Sequence, residues 1–212
     1  MGSNPTLSAN ILPERGETAN GTEKNTAERE DSAMDSFDTM LSGGHPNSLG
    51  RTIDVVQAVF ADPSRLDELF GCYRSDDPVV RLRTSNALKR VEAERHDWIV
   101  PFLDRLIDEV GALDQPSAQW TLAQLFLRLK SEMSPAQYRG ATKILKRNLE
   151  QHDDWIVLNA TMETLFQWSQ TDDELGLWLK PHLDRIAKDP RKSVAGRAKK
   201  LLACYPDRTS AP

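Results

Sequence analysis

Beyond residue 51 the large apolar side chains recur at intervals of three and four. Leu66, Leu69, Phe70 and Tyr73 follow that rule, as do Ile99, Phe102, Leu103, Leu106, Ile107 and Val110 over three turns, and each set forms one stripe of a helix. No alternation of apolar and polar residues lasts long enough for a strand. Breaks fall at Asp62-Pro63, Asp76-Asp77-Pro78, Asp114-Gln115-Pro116, Ser134-Pro135, Asp153-Asp154 and Asp189-Pro190. At such places Asp or Ser can cap a helix whose first turn tolerates proline. The pattern predicts about eight or nine helices of roughly 10 to 18 residues with short connections.

A slower rhythm runs beneath the helical one. WIVPFLDRL, from Trp98 to Leu106, and WLKPHLDRI, from Trp178 to Ile186, read almost alike 80 residues apart. Between and around them an apolar anchor is followed at four, seven and eight residues by small or apolar partners. The sets are Val80-Thr84-Ala87-Leu88, Ala118-Leu122-Leu125-Phe126, Val157-Thr161-Thr164-Leu165 and Val194-Ala198-Leu201-Leu202, with anchors 38, 39 and 37 residues apart. Two such periods separate the quoted stretches, which are therefore the first helices of a second and a fourth repeat. A two-helix repeat of this length buries its apolar face only against its neighbours. The inner positions, expected to be buried, are Leu88, Leu103, Leu106, Leu125, Phe126, Leu145, Leu165, Leu183 and Leu202.

DPVVRLRTSNAL, from Asp77 to Leu88, and PHLDRIAKDPRKSVAGRAKKLL, from Pro181 to Leu202, resemble HEAT repeats: a proline in the first helix, an Asp in the connection, then Val with Arg and small residues. The resemblance covers about residues 52–206. It implies an all-α fold, a short right-handed α-solenoid of about four HEAT-like helix pairs whose second helices line a concave surface. The second repeat departs with Gln119 where Arg would stand, and the third, with Leu158 and Met162, matches loosely. Pro181, well inside its helix, is expected to kink it as in that family, whereas Pro101, in a first turn, is expected to disturb less.

Composition divides the chain. Of 212 residues, the first 50 contain few large apolar side chains and many Ser, Thr, Asn, Gly and Glu, with 3 basic against 8 acidic residues. Such a segment cannot repay the entropy of ordering, so 1–50 is expected to be a disordered acidic tail, dispensable for folding, before a folded domain at 51–206 and a short tail at 207–212. The folded part is neutral, and the formal net charge of −5 belongs to the front. Residues 2–9 can be encoded by a T-arm of transfer RNA, GGT TCG AAT CCC spelling Gly2-Ser3-Asn4-Pro5, so the reading frame is expected to open too early, with Met34 or Met40 as the start. The match of Gly2 and Thr6 to the N-myristoylation pattern is the weaker explanation of the same residues. No apolar run is long enough to cross a membrane, and a cytoplasmic location is expected. Cys72 and Cys204 are the only thiols, too few for a disulfide scaffold, and both are expected to be buried or half-buried.

No catalytic constellation, phosphate loop or cofactor motif stands out, so the chain is expected to be a non-enzymatic binding protein without metal or cofactor. His96-Asp97 and His152-Asp153-Asp154 are read as a helix end followed by a cap. Trp98, Trp155, Trp168 and Trp178 are read as core residues. At 100° per residue, positions 3, 6 and 10 of each second helix point away from the buried stripe. They are Arg83, Thr121, Ala160 and Arg197; Asn86, Gln124, Glu163 and Lys200; Arg90, Arg128, Gln167 and Cys204, five of them basic and one acidic. With Trp120, which points the same way, this face predicts a site for an acidic or extended segment of another protein. The alternative is nucleic acid, in the manner of the HEAT-like DNA glycosylases, which pair a basic groove with Trp and a catalytic Asp. Trp120 could serve as the aromatic, but only Glu163 could replace the Asp.

Overall fold

The computed structural model describes residues 35–45 and 47–205. Eleven α-helices run through them: α1 (Phe37–Leu41), α2 (Thr52–Ala61), α3 (Leu66–Gly71), α4 (Pro78–Glu94), α5 (His96–Ile99), α6 (Leu103–Asp108), α7 (Pro116–Leu129), α8 (Pro135–Gln151), α9 (Trp155–Ser169), α10 (Asp173–Ile186) and α11 (Lys192–Leu202), with no strand among the described residues. The all-α expectation holds.

The starts follow local chemistry. Asp77 accepts from the amide of Val79, Asp154 from Ile156 and Val157, and Asp172 from Leu175, while Ser134 and Gln137 form a reciprocal capping box. Asp189 departs from the expectation. Its carboxylate is taken by the Arg191 side chain and amide, which hold its pKa down at about 2, and α11 begins without a side-chain cap.

The two alike stretches fold differently, and Pro101, expected to disturb less, stands at the break. WIVPFLDRL is broken into α5, a 3₁₀ turn at Val100–Phe102 and α6, whereas α10 continues through Pro181. Proline removes one intrahelical hydrogen bond in either place. Before Pro181 lie eight residues of a helix capped by Asp172; before Pro101 lie the four residues of α5, whose start has no side-chain cap. Too few hydrogen bonds precede Pro101 to carry the helix past it.

Packing joins the alternate helices in order: α2 lies on α4, α4 on α7, α7 on α9 and α9 on α11, with α8 against α9 and α10 against both α9 and α11. Side-chain ties between elements gather near the sequence period. Arg105 pairs with Asp67 and Lys130 reaches the carbonyl of Trp168, each across 38 residues, and Tyr138 donates to Asp172 across 34. Eight of the nine expected inner residues are buried, and Leu202 is half-buried.

The folded body begins earlier than composition indicated. Ser36 onward belongs to it, and α1 buries Phe37, Met40 and Leu41. The Phe37 amide donates to Glu68 at 2.7 Å, and the Arg65 guanidinium lies 3.9 Å from the Phe37 ring centroid. The apolar residues at 37, 40 and 41 make a single turn, too short to stand out in a polar segment, yet enough to close one end of the core. The expectations for 1–34 and 207–212, including the early reading frame, lie outside the described residues.

Candidate functional site

Arg83 leaves the proposed site altogether. Position 3 of α4 faces inward, and the side chain is 1% exposed. Nε donates to the carbonyl of Ser48 at 3.0 Å, Nη1 to those of Leu41, Ser42 and Gly43 at 2.6, 3.1 and 2.7 Å, and Nη2 to that of His45 at 3.2 Å. These carbonyls follow α1 through a turn in which Gly43 and Gly44 have positive φ. The guanidinium fork is thus spent on backbone and takes no partner. Thr121, the equivalent of Arg83 in α7, is also buried. At Arg83 the helical-wheel angle fails because the α1 turn covers what would otherwise be the open side of α4.

Further along the same helix the charges are differently placed. Glu92 is 2% exposed, with Oε2 at 2.5 Å from Arg128 Nε of α7 in an ion pair and Oε1 at 3.0 Å from His96 Nδ1. Arg90 is exposed and has no ion pair among the described residues. Lys89, half-buried, has its pKa pushed down by burial and by the charges of Arg128 and Arg90. Of these cations only Arg128 is held by the Glu92 carboxylate, while the charges of Arg128 and Arg90 are both felt at Lys89. Gln124, half-buried one turn before Arg128, has no side-chain hydrogen bond among the described residues, and Asn86 donates back to the carbonyl of Leu82.

At the α9–α11 seam one cation is paired and one is not. Arg197 pairs with Glu163 at 2.8 Å, and Gln167 donates to the other Glu163 oxygen at 3.2 Å. Lys200 is exposed, and Trp120 is half-buried. Glu163, the only candidate for a catalytic carboxylate in the nucleic-acid reading, is occupied by these two neighbours.

Several expected core roles are revised. Trp168 is fully buried, Trp98 packs against Phe60, and Trp178 stacks on His182 with Lys146 Nζ 4.6 Å away, but Trp155 is 51% exposed at the start of α9. Cys204 is exposed, whereas Cys72 is buried and its thiol pKa rises to about 12 by desolvation. His152 accepts from the Asp154 amide as expected of a connection, while His96 opens α5 and leans back on Glu92. Away from the second helices, a cleft of 1020 Å³ flanks α8, walled by Ile107, Gly111, Ile144 and Leu175 and rimmed by Lys143 and Arg147. Gly111 serves packing there, since a Cβ on it would meet Ile144 Cδ1 at 2.5 Å.

Sequence reasoning missed Lys89 and Glu92. Both lie beside the buried stripe, at positions where charge is read as solvated; the close spacing of Lys89, Arg90, Glu92 and His96 was the available signal. Comparisons of the chain with protein-family models, curated proteins and solved structures give no match.

Proposed function

We propose that the helices form a short right-handed solenoid of about four HEAT-like pairs, and that the protein is a non-enzymatic scaffold holding an acidic or extended segment of a partner protein along α4, α7, α9 and α11. The observation that carries this reading is the unequal charge along those helices, with cations left over at the α4–α7 seam and at Lys200. Such an excess draws an anionic partner without requiring bond chemistry. The serial packing of alternate helices and the ties near 38 residues support the solenoid. An exposed free Cys204 fits a reducing compartment such as the cytoplasm. No helix of the described residues is long and apolar enough to cross a membrane.

Binding of fluorescein-labelled poly-Glu to the full chain tests the reading. Saturable binding that weakens in Arg90→Glu, and persists in Lys143→Glu on α8, is expected. Loss in the α8 variant with retention in Arg90→Glu moves the site to the other surface. Arg128 is unsuited to charge reversal, because a second carboxylate would then face buried Glu92. Lys146 is no neutral control either, since it lies over the Trp178 ring.

A further inference from the structure

We propose that the cleft beside α8 is a second binding site, which takes a small amphipathic monoanion: an aliphatic carboxylate whose head is held by Arg147 and Lys143 and whose chain lies against Ile107, Ile144 and Leu175. The site is built on α6, α8 and α10, and it does not depend on the scaffold reading.

Arg147 lacks a counter-charge. Its Nη2 donates to the carbonyl of Gly111 at 3.0 Å, to Gln119 Oε1 at 3.2 Å and to Asn148 Oδ1 at 3.1 Å, all of them neutral acceptors. No carboxylate pairs with this half-buried guanidinium among the described residues. Gln119 and Asn148 are each 2% exposed and are joined by a hydrogen bond of 2.8 Å, so the wall that fixes Arg147 is part of the core. Gln119 is where the second repeat departs from the HEAT-like pattern, and its amide oxygen serves both Arg147 and Asn148; an arginine there would accept from neither. A charge drawn out of water is stabilised by an opposite one, which the fold does not supply. Nη1 makes no hydrogen bond among the described residues, so two N–H donors remain for a ligand.

The side chain that lacks a counter-charge also lines the cleft. Arg147 borders both the 1020 Å³ cleft and a smaller recess of 290 Å³, and Ala112 and Gln151 are common to the two. Lys143, one turn earlier on α8, lines the cleft as well and is exposed without an ion pair among the described residues. The cleft is as roomy as the pockets that take small organic ligands, roughly 300 to 1,000 Å³. Its acidic residues decide how much negative charge it accepts. Asp172 already receives the Tyr138 hydroxyl and the Leu175 amide, each at 2.9 Å, and Glu150 lies 3.4 Å from His182 Nε2. Asp108 and Glu174 on the cleft and Asp114 on the recess are exposed and unpaired among the described residues. They repel a polyanion such as poly-Glu or a nucleic acid, whereas a single carboxylate provides the one charge that Arg147 lacks. Ile107, Ile144 and Leu175 then favour a ligand with an aliphatic part over a bare inorganic ion.

Calorimetric titration of the full chain with octanoate, decanoate and octan-1-ol tests the site. Decanoate should bind about tenfold tighter than octanoate, because two more methylenes leave water. Octan-1-ol should bind about tenfold more weakly than octanoate, having no charge to give Arg147. Arg147→Met should weaken decanoate about tenfold by the same loss. Because that variant also takes a donor from Gln119 and Asn148, two substitutions at exposed positions accompany it. Lys143→Met removes the second cation, and Ala112→Trp puts a ring where the two recesses meet; each should weaken decanoate with unchanged melting. Lys180→Met, on α10 outside the cleft, should leave binding unaltered. No binding of decanoate overturns the proposal, as does octan-1-ol binding as tightly as octanoate, which removes the anionic head, or octanoate as tightly as decanoate, which removes the apolar wall. Decanoate binding that none of Arg147→Met, Lys143→Met and Ala112→Trp alters lies elsewhere on the molecule and overturns it too. None of these results bears on the poly-Glu titration, which reads the other helices.

Discussion

Arg83 and Arg90 stand two turns apart on α4 and do opposite things. Arg83 is enclosed by five backbone carbonyls and is 1% exposed. Arg90 lies open, next to Lys89 and without an ion pair among the described residues. A guanidinium has five N–H donors, and what it can do for a partner depends on how many the fold has already used. At the first site nearly all are used, and the side chain is a structural strut that ties the α1 turn to α4. At the second they remain available, which makes charge a means of recognition. Residue type and helical angle treat the two arginines alike; only the chain that folds over one of them separates their roles.

The sharpest way to break this contrast is to remove the covering segment. A chain beginning at Ser48 loses the burial of Phe37 and Leu41 and strips four of five carbonyls from Arg83, so denaturant unfolding should report a loss of about 5 kcal/mol or more. Unchanged stability would return the segment to the dispensable tail that composition indicates. Arg83→Met in the intact chain isolates the strut: five carbonyls lose a charged donor, and about 3 kcal/mol is expected to go. A smaller effect belongs to Gly50, whose φ of +51° and closeness to Arg83 make Gly50→Ala cost about 1 to 3 kcal/mol by the same measurement.

At the open site Arg90→Met should change stability by no more than about 0.5 kcal/mol, because an exposed, unpaired charge contributes little to folding. Equal losses for Arg83→Met and Arg90→Met would erase the distinction. The finest test is titration. Lys89 should deprotonate below the ordinary lysine value of 10.5, and Arg90→Gln should move it part of the way back. The sign follows from linkage. A lysine with a depressed folded pKa costs stability while it is charged, so stability should rise as pH climbs from the lowered value towards 10.5. NMR of the Lys89 side chain, with and without Arg90, measures both.

The fold was legible wherever one principle acted alone. Leu125, Phe126 and Leu165 are buried because helical period and repeat period agree on them. The caps at Asp77, Ser134 and Asp154 were readable because each is a local contest between a side chain and a few orphan amides. Reading failed where a second segment intervened. Phe37 and Leu41 sit in a polar stretch whose average hides one apolar turn, and Arg83 was assigned to the surface because nothing in α4 shows that 41–45 and Ser48 lie over it. The site followed the same division. Arg90, Arg128 and Lys200 face outward as their angles predict, but the pairing of Arg128 with Glu92 and of Arg197 with Glu163 depends on how neighbouring helices are set against each other. That setting is a tertiary quantity, and it decides which predicted cations remain available.

Gly50 carries a consequence for how this sequence can change over time. A Cβ at that position would lie 2.8 Å from Cζ of Arg83, 33 residues further on. The two positions are therefore one inherited unit. In descendants of this chain a side chain at 50 should appear only where 83 has become smaller, and a restored arginine at 83 should be followed by reversion to glycine. Drift at either site alone runs into the other.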